Sequence, residues 1–371
     1  MNQSSNIMKQ DERAILGLRS LYRSFGYSQF KMSKFEEYDL YVRNKSFLVS
    51  DHIITFTDTN GKLMALKPDV TLSIVKNSKD TPSEVQKVYY DENVYRVSGG
   101  SSSYREIMQA GLECIGAVDN YCIAEVLNLA VESLSRISQS FVLDVSHLGI
   151  LSTVLDSIPL SDAGRAALLH CVGEKNLHGM DEICLAEGVD PSNADALKAL
   201  VGCYGSPATV LPRLREIVGD DCALLREFSE ILAALPTDHV RIDFSVVNDL
   251  GYYNGIVFAG FIQGIPQSIL SGGQYDNLMK KMGRRSRAIG FALYLDLLEE
   301  LERQQSDYDA DTVLLYDETA SPADVTRAVA DLTRNEDTVV LALRSVPEKL
   351  RYKTLLKLTA KGLEPINETN A

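Results

Sequence analysis

The sequence predicts an α+β fold in which helices flank an antiparallel sheet, with a helical insertion and a small C-terminal α/β unit. Successive strands joined by short turns are typical of an antiparallel sheet. Short helical segments separated by prolines and glycines interrupt these strands, and strands and helices alternate near the end of the chain. The predicted domains are a core at residues 1–305, which contains the helical insertion at 147–236, and a C-terminal α/β domain at 310–371.

The core elements follow from hydrophobic periodicity and turn residues. Apolar residues at steps of three and four predict a first helix from Ala14 to Phe25, ended by Gly26, and a second helix at residues 123–137. The pair Asn60 and Gly61 predicts a hairpin turn. The predicted core strands outside the hairpin of residues 88–116 lie at residues 47–49, 53–57, 63–66, 141–145, 240–247, 251–261 and 268–270.

The last sixty residues predict a small α/β layer of their own. The expected elements are a strand at 312–316, a helix at 322–332, a strand at 338–343 and a helix at 347–360. The last helix rests on the spacing of Leu350, Leu355 and Leu358.

Residues 88–116 predict two strands with a polar ligand floor on one face. Side chains alternate faces along a strand, so Arg105, Gln109 and Glu113 point one way, and Arg96 lies on the preceding strand. Gly111 is expected to leave open the place where a ligand would lie. The pattern alone fits a half-exposed antiparallel hairpin equally well.

Five segments in the same order resemble class II aminoacyl-tRNA synthetases, and within them the histidyl-tRNA synthetase group. The quoted segments are LMALKPDVTLSIVKN, ENVYRVSGGSSSYREIMQAGLECIG, NDLGYYNGIVF, SGGQYDNL and AIGFALYLDLL. Five ordered matches over most of residues 30–300 are far more specific than one short pattern. The C-terminal unit resembles the start of the synthetase's anticodon-binding domain, with fewer elements.

The resemblance implies a histidine site. It places Asp69 and Thr71 where the family contacts the amino group of histidine, and Arg96, Gln109 and Glu113 at ligand-binding positions of the second motif. Three tyrosines are the expected walls of the pocket: Tyr252, Tyr253 and Tyr275. Each tyrosine taken alone fits core packing, and strand alternation would let only one of Tyr252 and Tyr253 face the ligand.

The departures from the family pattern concern arginines. Asn248 stands where the family has an arginine that contacts the phosphate and carboxylate at the reacting centre, and Leu297 stands where an arginine clamps the nucleotide. Gln274 replaces the arginine of the Gly-Gly-Arg-Tyr-Asp element, so three cations expected to act on the same phosphate charge are missing. The next glycine of the histidine motif is Asp249, and Ser98 replaces a second-motif glutamate. Cations on the phosphate stabilise the charge that develops as pyrophosphate leaves, so their loss predicts a chain without adenylation activity.

Within the synthetase relatives, a retained histidine site combined with the loss of these arginines resembles the regulatory subunit of ATP phosphoribosyltransferase. The resemblance implies a homodimer that joins a short catalytic subunit in the first step of histidine biosynthesis, with free histidine as effector and no cofactor. A divergent active histidyl ligase and a dimeric scaffold with an empty pocket stay open as alternatives. The resemblance leaves open whether the helical insertion is a lid or a spacer.

Composition argues against a tRNA-binding surface. The chain has 37 basic and 51 acidic residues, a net charge of -14, and one short basic cluster, at residues 280–287, which fits a solvated loop. The sequence contains no run of about 18 apolar residues, so we expect no membrane span. The N-terminal sequence does not resemble a secretory signal, and we therefore expect a cytoplasmic protein. Six scattered cysteines are expected as buried free thiols, and the five histidines suggest no metal site.

Overall fold

The computed structural model describes most of the chain in two compact units. The larger contains Ala14–Leu297, and the smaller contains the residues from Leu298 onwards together with those up to Arg13. The described residues are 10–45, 48, 53–97, 103–236, 238–247, 252–298, 308–334 and 338–366. Within these ranges, every helix is too short or too polar to cross a bilayer.

The larger unit contains a nine-stranded mixed sheet and a separate three-stranded sheet. The strands are β1 (Ser28–Gln29), β2 (Phe35–Glu37), β3 (Thr55–Thr57), β4 (Leu63–Leu66), β5 (Val85–Val97), β6 (Tyr104–Gly116), β7 (Phe141–His147), β8 (Tyr204–Gly205), β9 (Val240–Asp243), β10 (Ile256–Ile262), β11 (Leu270–Gln274) and β12 (Arg287–Tyr294). The large sheet has the order β1-β5-β6-β12-β11-β10-β7-β9-β8, and the small one β2-β4-β3.

Eleven helices accompany these strands in the described residues. They are α1 (Gln10–Ser24), α2 (Tyr38–Arg43), α3 (Thr71–Asn77), α4 (Asn120–Ile137), α5 (Leu148–Asp156), α6 (Asp162–Gly173), α7 (Leu177–Ala186), α8 (Pro191–Val201), α9 (Pro207–Val218), α10 (Ala223–Ala233) and α11 (Asp276–Lys281). The first helix is followed by Gly26 with a φ of 82°, as its sequence predicts. Helices α5 to α10 occupy the predicted insertion.

The prediction of an antiparallel sheet is confirmed for most of its strand pairs. Two pairs are parallel instead: β1 with β5, and β7 with β9. The chain reaches β9 from β7 through the whole helical insertion, which is the long connection that a parallel pair requires.

The strand predicted at 240–247 is only half right. Strand β9 ends at Asp243, whose Oδ1 accepts hydrogen bonds from the backbone nitrogen of Ser245 at 2.9 Å and from its hydroxyl at 2.7 Å. An aspartate whose side chain accepts a hydrogen bond from the amide two residues ahead turns the chain. The strand therefore ends here, although the alternation of apolar residues in the sequence continues beyond it.

Some predicted strand residues lie outside the described ranges. Of the strand predicted at 47–49, only Leu48 is described, and it is not in a strand. Gly251, the first residue of the strand predicted at 251–261, also lies outside. The strand itself begins at Ile256 and not before.

In the described part of the smaller unit after Leu298, one sheet is accompanied by one helix. Its elements are β13 (Ala310–Leu315), α12 (Pro322–Leu332), β14 (Val340–Leu343), β15 (Tyr352–Thr359) and β16 (Gly362–Pro365), with the sheet order β14-β13-β15-β16. Three of the four predicted elements are confirmed, to within two residues at each end.

The helix predicted at 347–360 is wrong, because Tyr352–Thr359 form strand β15 instead. This strand pairs in parallel with β13 and in antiparallel with β16, and Gly362 adopts a φ of 115° beside the hairpin turn. Steps of five and three between the leucines do not define one helical face, whereas Tyr352, Thr354 and Thr359 are residue types favoured in strands.

All six cysteines are free thiols, four of them buried and Cys171 and Cys222 half-buried.

We predict that Gly116→Ala is strongly destabilising. Gly116 has a φ of 122°, and an added Cβ would lie 1.8 Å from the carbonyl oxygen of Glu84. We expect the free energy of unfolding to fall by about 3 kcal/mol, from backbone strain and the shift of a paired strand. Urea denaturation measures the loss.

Gly188→Ala is the matched control. Its φ is also positive, at 67°, but an added Cβ meets nothing within 4 Å, so only the backbone term of about 1 kcal/mol should appear. Equal losses in the two variants would contradict the steric argument for Gly116.

Candidate functional site

One cavity of about 610 Å³ brings together every residue that the sequence proposes for a ligand site. It lies over β5, β6, β11 and β12 in the larger unit. The predicted residues that line it are Asp69, Thr71, Arg96, Gln109, Glu113, Tyr252, Tyr253 and Tyr275.

Strand β6 supplies the polar floor. Gln109 and Glu113 lie four residues apart on one face, and only 3% and 2% of their surfaces are exposed. Strand β12 runs antiparallel to β6 and places Gly290 opposite Glu113. A Cβ at position 290 would lie 1.8 Å from Glu113 Oε2, so only glycine leaves room for this carboxyl group.

The expected role of Gly111 is wrong. Its missing side chain makes room for a protein side chain, not for a ligand, because a Cβ there would lie 2.5 Å from the hydroxyl of Tyr90 and 2.2 Å from the carbonyl oxygen of Phe291. Tyr90 pairs with Gly111 across the hairpin and itself lines the cavity. An aromatic ring opposite a glycine is a common cross-strand arrangement that the sequence pattern alone does not distinguish from a ligand gap.

Glu113 is the centre of the hydrogen bonding. Its Oε1 accepts a hydrogen bond from the Thr71 hydroxyl at 2.7 Å, and its Oε2 accepts one from the Tyr275 hydroxyl at 2.6 Å. Burial raises the pKa of Glu113 to about 8, although both hydrogen bonds oppose the rise, and the nearby carboxyl of Asp69 adds to it. The protonated form of this carboxyl group is therefore favoured far more than in an exposed glutamate.

Asp69 and Thr71 stand at the start of helix α3. Oδ1 of Asp69 accepts a hydrogen bond from the amide of Leu72 at 2.8 Å, which fixes the carboxyl at the helix N-terminus. Burial raises the pKa of Asp69, and the charge of Arg96 opposes that rise. The Nε of Arg96 donates to the carbonyl oxygen of Pro68 at 3.0 Å, which holds its guanidinium next to the cavity.

Three tyrosines form an aromatic wall. The rings of Tyr252 and Tyr253 lie 4.6 Å apart, and those of Tyr252 and Tyr275 lie 5.9 Å apart. The expectation that only one of Tyr252 and Tyr253 faces the cavity is wrong, since both line it. Both residues precede β10 in irregular backbone, where the alternation of a strand does not apply.

Several residues of the cavity were not predicted from the sequence. Those with polar side chains from the second half of the chain are Gln267, Ser268, Ser271, Tyr294 and Asp296. Ser271 lies on β11 and its hydroxyl is 3.2 Å from that of Tyr294 on β12. The motifs SGGQYDNL and AIGFALYLDLL contain Ser271 and Tyr294, so extending the alternation of each strand from its glycine would have found them.

The side chains that replace the family's arginines differ in whether they line the cavity. Leu297 lines the cavity, as expected for a residue on the phosphate side. Gln274 does not: it is 3% exposed, and its Oε1 accepts a hydrogen bond from the backbone nitrogen of Ile256 at 2.7 Å. Its assignment to the phosphate-facing group is therefore wrong, because its side chain supports the neighbouring strand. Asn248, Asp249 and Ser98 lie outside the described residues.

The basic cluster is partly structural. Arg284 donates to the carbonyl oxygens of Val75 and Lys76, and Arg287 donates to that of Val118. Lys280 and Lys281 are exposed on helix α11, so the expected solvated loop is only part of this segment. Within the described residues, no group of three or more histidine, cysteine or acidic side chains has an arrangement able to hold a metal ion.

The sequence resembles characterised proteins over most of its length. The profile of the family described as histidyl-tRNA synthetase matches residues 6–298. An ATP phosphoribosyltransferase regulatory subunit from Oceanobacillus iheyensis is 27% identical over 303 residues, which are 79% of this chain and 73% of the relative. A histidine–tRNA ligase from Methanococcus vannielii is 30% identical over 292 residues, which are 75% of this chain and 69% of the relative.

Two solved structures share the fold. An ATP phosphoribosyltransferase regulatory subunit/histidyl-tRNA synthetase from Bacillus halodurans superposes with a TM-score of 0.70 at 22% identity, over 96% of this chain and 99% of that one. A chain of an ATP phosphoribosyltransferase complex from Thermotoga maritima gives 0.60 at 20% identity, over 76% of this chain and 96% of that one. The extent of the profile match, the ordered motifs and the shared fold together establish that this chain belongs to the histidyl-tRNA synthetase family.

Proposed function

We propose that the chain is a non-catalytic regulatory subunit of ATP phosphoribosyltransferase that binds free histidine in the cavity around Glu113. In this role it joins a short catalytic subunit, which requires it for activity, and transmits feedback inhibition by histidine in the first step of histidine biosynthesis. The observation that carries the proposal is a polar amino-acid site beside an apolar Leu297, where the family has an arginine. Relatives named as regulatory subunits, such as that from Oceanobacillus iheyensis, support it.

The polar groups of the cavity match the groups of histidine. The carboxyl groups of Glu113 and Asp69 and the amide oxygen of Gln109 are acceptors for an ammonium and for imidazole N–H groups. The Asp69 carboxyl accepts hydrogen bonds from the backbone of Leu72 and of Thr71, and the residue lines the cavity. Arg96 lines the cavity and binds Pro68 through its Nε, and within the described residues its terminal nitrogens are directed to no other group, so they can meet a carboxylate.

The charges of the empty cavity also favour a ligand with a cationic group. Burial raises the pKa of both Asp69 and Glu113, and the carboxyl of Asp69 adds to the rise at Glu113, which a nearby positive charge would offset. An amino-acid ammonium would stabilise both ionised carboxyls. The tyrosine wall offers aromatic faces to an imidazole ring.

Adenylation is the reaction that the cavity is proposed to have lost. Leu297 gives no charge to a nucleotide phosphate, and Asn248 is neutral. One missing cation would cost a few kcal/mol of transition-state stabilisation, and two that act on the same charge would cost about twice as much. Arg96 alone remains from the set that the family resemblance implies.

An active histidyl ligase is the second candidate. The 30% identity to the ligase of Methanococcus vannielii favours it, as does the retained Arg96. The net charge of -14 favours the regulatory role, since tRNA binding depends on neutralising phosphates. We propose a homodimer and no tRNA partner.

We predict that Glu113→Gln weakens histidine binding by about tenfold to a hundredfold. The amide keeps the size of the carboxyl but loses its charge and one of its acceptors, which is worth about 1–3 kcal/mol. Isothermal titration calorimetry with histidine and no nucleotide measures the effect. Glu106→Gln is the control, because Glu106 lies on the same strand and accepts hydrogen bonds from the side chains of Asn93 and Tyr95 outside the cavity. Unchanged affinity in Glu113→Gln would reject the assigned site.

We predict that histidine binding releases a proton near neutral pH. Glu113 has a pKa of about 8 in the empty cavity, and a bound cation lowers it, so the carboxyl must ionise as the ligand binds. Affinity should therefore rise from pH 6 to pH 8 and then level off. Calorimetry in buffers of different ionisation enthalpy counts the protons. The Glu113→Gln variant should lose this release, and a release equal to that of the unmodified chain would contradict the assignment to Glu113.

We predict that the purified chain shows no histidine-dependent exchange of pyrophosphate into ATP. When mixed with a short-form ATP phosphoribosyltransferase catalytic subunit, it should restore phosphoribosyl transfer and make that activity sensitive to histidine. Glu113→Gln should still activate but should require more histidine for inhibition. Rapid pyrophosphate exchange would instead establish the ligase, and a catalytic subunit equally active and equally inhibited alone would exclude the regulatory role.

A further inference from the structure

A strained lysine joins the helical insertion to the large sheet. Lys175, which follows helix α6, has a φ of 53° and is the only residue other than glycine with a positive φ in the described ranges. Glycine or asparagine adopts this conformation after a helix at lower cost, so a lysine here suggests a use for its side chain. Its Nζ lies 2.7 Å from Oδ2 of Asp243 and 4.6 Å from the centre of the Tyr204 ring.

Asp243 uses both of its oxygens to fix the end of strand β9. Oδ2 binds Lys175, and Oδ1 accepts hydrogen bonds from the amide and the hydroxyl of Ser245. Asp243 is 4% exposed, and Asp144 lies on the paired strand β7, where burial raises the pKa of Asp144 and the charge of Asp243 adds to that rise. The charges of Arg241 and Lys175 oppose this rise, so removing Lys175 takes away one of the two positive charges that offset the repulsion between the carboxyl groups.

The turn at Asp243 leads into an apolar cluster that reaches the cavity. Val246 is buried in a cluster with Leu148, Val257 and Ala259, and Tyr253 packs against the same cluster. Tyr253 also lines the cavity beside Tyr252. Tyr253 is therefore part of the cavity wall and also packs against the apolar cluster that contains Val246, which follows the turn at Asp243.

We propose that the Lys175–Asp243 ion pair is a positioning contact through which the helical insertion holds the Tyr253 wall of the cavity in place. Lys175 acts through Asp243 and the apolar cluster and does not touch the ligand. The ligand-binding part of this inference rests on the proposed histidine site. Movement of the insertion, for example when a partner binds it, then changes histidine affinity, and histidine in turn changes the mobility of the insertion.

Lys175→Met tests the contact, since methionine keeps much of the length but removes the charge. We expect histidine affinity to fall about fivefold or more, because a less ordered wall must be ordered on binding. Lys198→Met is the matched control. Lys198 is also an ion-paired lysine of the insertion, but its partners Asp181 and Asp195 belong to the insertion itself. Equal affinities in Lys175→Met and in the unmodified chain would overturn the proposal.

Hydrogen exchange of the unliganded full chain gives a readout that does not depend on histidine. Lys175→Met should accelerate exchange of amides at residues 252–258 as well as near Asp243, and Lys198→Met should not. Faster exchange confined to the neighbours of Lys175 and Asp243 would overturn the proposed transmission, even if histidine binds normally. If the unmodified chain fails to bind histidine, the proposed function is rejected, and the exchange result alone decides whether the ion pair positions the wall.

Discussion

The buried carboxyl group of Glu113 is the point from which the site is organised. It receives hydrogen bonds from Thr71 on α3 and from Tyr275 after β11, so segments far apart in the sequence meet at one side chain of β6. A buried carboxyl without partners would be strongly destabilising. The surrounding fold therefore has to supply these donors, and the same donors set the width and the polarity of the cavity.

The residues that line the cavity could be predicted from the sequence, but much of their geometry could not. The second-motif pattern identifies Gln109 and Glu113, because strand alternation and spacing place both on one face. The sequence does not indicate that Tyr90 fills the space above Gly111, since that contact depends on the register between β5 and β6. Cross-strand neighbours become visible only when the pairing is known.

The errors in the fold have similar causes. The alternation at 240–247 and the leucines at 350–358 both reflect burial, but burial alone does not fix the backbone. At Asp243 a side-chain hydrogen bond ends the strand, and at 352–359 pairing with β13 and β16 decides for a strand. At Gln274, a position matched by motif carries a side chain directed at the neighbouring strand. A motif match locates the backbone, and packing decides where the side chain points.

The glycine at position 290 has a consequence for the evolution of this cavity. Any side chain there would collide with the Glu113 carboxyl and with the carbonyl oxygen of Leu112. Gly111 is closed to substitution in a similar way by Tyr90 and Phe291. Side chains that alter the choice of ligand therefore cannot arise at these two glycines. A change of specificity must come from other residues around the cavity, whose side chains have room to change.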